Sequence, residues 1–150
     1  MAPSGFQGRC IQPLCHPSGM GADRVARHHA RMGIALIAVA GAAGVLARYG
    51  ISTVFHGDAL PWATVAINVA GSFALGVLVV VPHWFSQEVR TALGVGFLGG
   101  FTTFSTFSVQ AFLDAEAGEP GKALAYVTAS VVLGIGAAAL GYFAARGVLH

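Results

Sequence analysis

GGFTTFSTF, Gly99 to Phe107, sits inside a run that hydropathy reads as a membrane-crossing helix. Just upstream, GVGFLGG supplies Gly94, Gly96, Gly99 and Gly100. Each glycine in a helix interior costs about 1 kcal/mol relative to alanine, so this run weakens the helix near mid-membrane. Unpaired backbone in hydrocarbon is strongly unfavourable, and a break is tolerated only where its carbonyls face protein, water or an ion. Carbonyls freed around Gly99 and Thr102 would be hard oxygens suited to a small cation such as Na⁺, which no carboxylate in this span could otherwise hold. A continuous, glycine-rich helix in close packing is the other reading of the same residues.

Composition sets the solvent. Of 150 residues, 55% are hydrophobic and only 9% charged, whereas a soluble domain carries about a quarter charged residues. The bilayer is the natural medium for such a chain. A formal charge of +2, scattered and without a basic stripe interleaved with aromatics, excludes a nucleic-acid footprint. Cys10 and Cys15 both lie in the polar N-terminal stretch, with His16 beside the second. Zinc-like ligand spacing and a disulfide framework are both lacking, so they read as incidental thiols.

Residues 1–32 mix Pro, Gly, His and Arg without apolar periodicity and read as a flexible basic tail, with residues 33–150 forming the membrane domain. Four apolar segments follow, approximately Gly33 to Val54, Trp62 to Val81, Thr91 to Leu113 and Ala123 to Ala145. Each approaches or exceeds the roughly 20 residues a helix needs to cross a hydrocarbon core. The joints FHGDALP, PHWFSQEVR and DAEAGEPGK are punctuated by Pro61, Pro82 and Pro120. Trp62 and Trp84 fall at span ends, where amphipathic rings favour the headgroup level. The expected fold class is therefore an all-α membrane protein with four transmembrane helices per subunit and a broken third helix. Glycines recur in every span, which lets backbones approach closely in lipid. Four helices enclose little polar volume, so a pathway would be completed by a second copy.

Four spans put both termini on one side. That side holds Arg9, Arg24, Arg27, Arg31, Arg90 and Arg146, against Arg48 and Lys122 on the other, so the positive-inside rule assigns the termini to the cytoplasm. A start at Met32 would leave Arg90 and Arg146 against Arg48 and Lys122. Without bias, a chain inserts in both directions, the condition for an antiparallel dimer of one gene product.

Several polar and aromatic residues lie within the spans. Phe104 and Phe107 are three apart and share a helix face, and a ring edge is positive enough to meet an anion weakly; core packing is the plainer role. Asn68, with Ser72 one turn on, either ties helices together or donates its amide to a passing anion. Thr102, Thr103, Ser105, Thr106 and Ser108 offer hydroxyls to an ion or to their own backbone, and Tyr126, Thr128 and Ser130 repeat the theme in the last span. Arg48, ending the first span, either snorkels to headgroups or concentrates anions at a pore mouth. No Asp, Glu or His falls in a span interior, which disfavours a proton-coupled pump and leaves an enzyme no acid, base or nucleophile in a common cleft.

GVLARYG, INVAGSFALG and GVGFLGGFTTFSTFS, in this order on three successive spans, closely resemble the Fluc (CrcB) fluoride channels, from about Gly33 to the C-terminus. The resemblance implies a dual-topology homodimer in the cell membrane, two four-helix subunits inserted antiparallel, with two fluoride pathways along their interface. It implies a broken third helix and a central structural Na⁺ held by backbone carbonyls of both subunits, at positions matching Gly99 and Thr102. It implies that Phe104 and Phe107 line the fluoride pathways with Asn68, that Arg48 stands at the vestibule, and that Ser105 and Thr106 form an adjoining hydroxyl track. Tyr126 and Ser130 correspond to the fourth-helix hydroxyls. Two departures stand out: Gln110 occupies a place where the family often carries Glu, and the basic tail is unusual. The expected function is a passive, fluoride-selective channel that lets fluoride leave the cytoplasm. The rivals are a small dual-topology, proton-coupled multidrug exporter, which would want an intramembrane glutamate, and a membrane subunit with no transport of its own.

Overall fold

The computed structural model describes residues 19–55, 60–81 and 84–149, with side chains from residue 31 onward. Cys10, Cys15 and the first part of the tail lie outside the described residues. All the regular structure among the described residues is helical: α1 (Gly19–Val54), α2 (Leu60–Val80), α3 (Gln87–Thr91), a π-helical stretch (Ala92–Leu98), α4 (Gly99–Phe101), α5 (Phe104–Glu116) and α6 (Pro120–Leu149). Among the described residues, four lengths of helix are long and apolar enough to cross a membrane: Arg31–Val54, Pro61–Val80, Gln87–Glu116 and Pro120–Leu149. The chain divides into two units between Arg31 and Met32. α1 begins at Gly19, upstream of the Gly33 where the apolar run starts.

Lipid explains the surface. Large apolar side chains stand exposed along every span, among them Leu46, Val79, Val95, Phe112, Ile135 and Phe143. Water would not tolerate so much contiguous apolar area, whereas acyl chains solvate it. The interior is correspondingly thin: Ala63, Val65, Ile67, Leu98, Ala123 and Tyr126 are buried, with Thr64 the buried polar residue among those described.

Glycine on backbone, not large side chains, makes the seams. α2 packs along α6, and a Cβ added to Gly76 would meet the Ala138 carbonyl oxygen, while one on Gly141 would meet that of Phe73. The same holds between α1 and the third span. A Cβ on Gly44 would strike the Phe97 carbonyl, one on Gly96 would come within 2.7 Å of the Ile37 carbonyl oxygen, and one on Gly100 within 2.6 Å of that of Gly41. Close approach without side chains gains dispersion contacts where apolar burial supplies no drive.

The third span breaks, but not at the glycines. They stay helical: GVGFL is wound as a π-helix, with the Gly99 N–H reaching the Gly94 carbonyl five residues back. The backbone then turns extended at Thr102 (ψ 157°) and Thr103 (φ −148°, ψ 116°) before α5 starts. Two reasons account for this. Gly96 and Gly100 are held by α1, and β-branched threonines accept extended backbone more readily than helix. Thr103 also caps α5, its hydroxyl accepting from the Thr106 N–H at 3.3 Å, which restarts the helix at once.

The joint between α5 and α6 is equally specified. Gly118 has φ +81°, the left-handed conformation glycine adopts without steric cost. The Gly118 N–H bonds the Ala115 carbonyl at 3.1 Å and the Glu119 N–H the Asp114 carbonyl at 3.0 Å, a Schellman stop, and Pro120 opens the next helix. Lys122 bridges Asp114 at 3.2 Å and Glu119 at 3.1 Å across this turn.

Candidate ion pathway at the helix break

A break at Thr102 and Thr103 strands backbone groups, and several of them find specific partners. The Leu98 carbonyl accepts from the Thr102 N–H at 3.0 Å and from the Thr102 hydroxyl at 2.9 Å. Asn68, reaching over from α2, takes Thr103 at both ends: its Oδ1 accepts the Thr103 N–H at 2.9 Å and its Nδ2 donates to the Thr103 carbonyl at 3.2 Å. Arg48 on α1 donates through Nε to the Gly100 carbonyl at 3.3 Å.

Among the carbonyls left are those of Gly99 and Thr102. In an unbroken helix they would accept from Thr103 and Thr106, but those amides bond the Asn68 side chain and the Thr103 hydroxyl instead. Two hard oxygens without helical donors, three residues apart, fit a small cation.

The break opens onto a cavity of about 270 Å³ whose lining includes Asn68, Ser72, Gly99, Thr102, Thr103 and Phe104. Asn68, Gly99, Thr102 and Phe104, four residues singled out from the sequence, therefore meet at one place. An amide nitrogen carries two hydrogens and Thr103 uses one, so Asn68, which lines the cavity, keeps one donor to spare. Gly71 is what admits the break: a Cβ there would strike the Thr102 methyl.

From the cavity an aromatic file runs toward α6. Phe104 and Phe107 lie 5.6 Å apart, tilted by 48°, and Phe107 and Tyr126 lie 5.3 Å apart, tilted by 46°. Phe104 is 79% exposed and Tyr126 only 1%, so the file passes from an open edge to the core. Tilted rings avoid face-to-face stacking, which leaves part of each ring edge unpaired with a neighbouring face.

The hydroxyls divide. Thr102 bonds back to Leu98, and Ser108 to Phe104 at 2.9 Å, so both serve their own backbone. Thr106 receives the Thr103 hydroxyl at 3.0 Å, and Ser105 stands 3.5 Å from it, a short hydroxyl row beside the phenylalanines. The Ser130 hydroxyl is buried with no hydrogen-bond partner, leaving its proton uncommitted.

Two partners escaped the sequence. The Tyr126 hydroxyl donates to Gln110 Oε1 at 2.7 Å and is also hydrogen-bonded to buried Thr64. The oxygen of Gln110 serves as the acceptor here, a role a carboxylate would also fill. For Thr64 the signal was available, since a lone hydroxyl early in an apolar span needs a partner.

These features define a class: a multi-pass membrane protein with four spans, in which side chains of the first two hold open a break in the third. The chain belongs to the CrcB family, whose model, described as "CrcB-like protein, Camphor Resistance (CrcB)", matches residues 35–142. A relative from Geobacter sulfurreducens is 45% identical over 119 residues, covering 75% of this chain and 96% of its own length. One from Thermus thermophilus is 42% identical over 112 residues, covering 71% and 90%. One from Chelativorans is 50% identical over 96 residues, covering 62% and 77%. All three bear the name fluoride-specific ion channel FluC.

Proposed function

We propose that this protein is a passive, fluoride-selective channel that lets fluoride leave the cytoplasm down its gradient and so limits its toxicity. The observation that carries this is the convergence of the Asn68 amide, the unbonded break carbonyls and the exposed Phe104 ring on one open cavity, in a chain whose relatives are named fluoride channels.

Selectivity rests on dehydration. Stripping water from a small anion is costly, and the replacements must be many and close. The spare hydrogen of Asn68, the hydroxyls of Ser105, Thr106 and Ser130, and the ring edges of Phe104, Phe107 and Tyr126 are weak donors in series. Weak sites suit conduction, which needs an ion to leave as readily as it enters. Two copies inserted antiparallel complete the route, because one copy leaves Phe104 and the cavity facing lipid. The Gly99 and Thr102 carbonyls of both copies would hold a Na⁺ at the centre, which supplies fixed positive charge beside the anion's path. Arg48, bonded to the Gly100 carbonyl, adds a positive charge beside the break.

Fluoride and chloride efflux from proteoliposomes, read with ion-selective electrodes, tests this. Fluoride should leave much faster than chloride, with no requirement for a proton gradient. Equal flux of the two halides rejects the selectivity, and proton-gradient dependence would favour the exporter instead.

A further inference from the structure

We infer that Arg48 is a positioning residue: its Nε–H caps the first half of the broken helix and so decides which break carbonyls are left for ions. This rests on the channel reading above and adds to it the device that shapes the centre of the route.

The geometry is specific. On α1, Gly41, Gly44, Val45 and Arg48 follow the i, i+3, i+4, i+7 spacing of one helix face. The first three are the residues against which the third span lies. A Cβ on Gly41 would be 3.7 Å from the Gly96 oxygen, one on Gly44 would meet the Phe97 carbonyl, and one on Gly100 would be 3.3 Å from a Val45 methyl. Arg48 therefore continues the same seam by one turn, at the level where α4 ends and helical donors run out. There its Nε donates to the Gly100 carbonyl at 3.3 Å.

The consequence is a sorting of carbonyls. Leu98 is served by Thr102, Thr103 by Asn68 and Gly100 by Arg48. With Gly100 fixed toward α1, the break carbonyls left without a donor among the described residues are those of Gly99, Phe101 and Thr102, and no longer that of Gly100. A guanidinium also sits favourably at the carbonyl end of a helix segment. An arginine acting only through its charge at a pore mouth needs no such bond to this one oxygen.

Two substitutions separate the cap from the charge. In R48Q the amide nitrogen lies as many bonds from the backbone as Nε does, so a donor can reach Gly100 without charge; R48M fills similar space with neither. Fluoride efflux is measured per folded channel on the monodisperse fraction, so loss of folding is not counted. R48Q should exceed R48M by about tenfold, the size expected from one orphaned backbone acceptor. Equal losses in R48Q and R48M, deepening at low ionic strength, would mean charge is what matters and would overturn the cap.

Hydrogen exchange gives an independent reading of the peptide spanning residues 98–106. It should quicken in R48M and keep the wild-type rate in R48Q; equal rates in all three proteins would also overturn the cap. If R48M does not fold, the exchange of R48Q against wild type decides, and faster exchange in R48Q is the refuting result. A wild-type protein that passes no fluoride would refute the channel and leave the exchange comparison standing.

Discussion

Asn68→Ala is the sharpest test of how the break is held. Asn68 contacts Thr103 twice, at 2.9 Å and 3.2 Å, and these two bonds satisfy both backbone groups of the residue at the break. Alanine removes both. An orphaned backbone group costs about 1–3 kcal/mol, so the ceiling for the pair is about 6 kcal/mol. Side-chain hydrogen bonds in membrane proteins are typically worth only about 0.6 kcal/mol each, which sets a floor near ~1 kcal/mol. Position decides between these limits. Thr103 lines the cavity, so water entering there rehydrates part of what alanine exposes, and the expected loss is about 1–3 kcal/mol. At about 1.4 kcal/mol per decade, the Thr103 amide should exchange some 5- to 140-fold faster than in the wild type. Peptides from α6 should be unaffected, since they draw on a different seam. Unchanged exchange at Thr103 would mean the break stands without its α2 clasp, and the account of its construction would be wrong.

Other substitutions probe the route and the frame. Phe104→Ile removes a ring edge while keeping apolar bulk, and fluoride efflux should fall by about tenfold or more; efflux at the wild-type rate would show the ring plays no part in conduction. Gly141→Ala sets a methyl against the Phe73 carbonyl, and overpacking of that kind costs about 1–3 kcal/mol. Gly136→Ala meets nothing within 4 Å, and should instead stabilise by about 0.5–1 kcal/mol through helix propensity. Thermal unfolding in detergent checks both, and coincident melting curves for the two variants would refute the backbone-to-backbone seam.

Elements set by local chemistry were legible in the sequence. Apolar run length gave the four spans to within a few residues, and Pro120 marked the start of the last one. Glycine density announced a break in the third span, yet located it imperfectly. The run from Gly94 to Gly100 is held helical by α1, and the interruption falls downstream at Thr102 and Thr103. Propensity read along one strand of sequence cannot weigh a neighbouring helix. The same limit applies to the site. Asn68, Phe104 and Phe107 stood out because polar or aromatic groups in a span are conspicuous by type. The bond from Arg48 to Gly100 and that from Tyr126 to Gln110 cross 52 and 16 residues of sequence, and residue type alone does not name such partners.

The widened winding of Ala92–Leu98 bears on how lengths of this span are compared. A π turn accommodates a residue beyond what an α-helix of equal rise would hold. An inserted or deleted residue there is absorbed by changing the winding, without rotating what lies on either side. Thr103, beyond the widened winding and clasped by Asn68, is therefore the fixed point from which register across this span is counted.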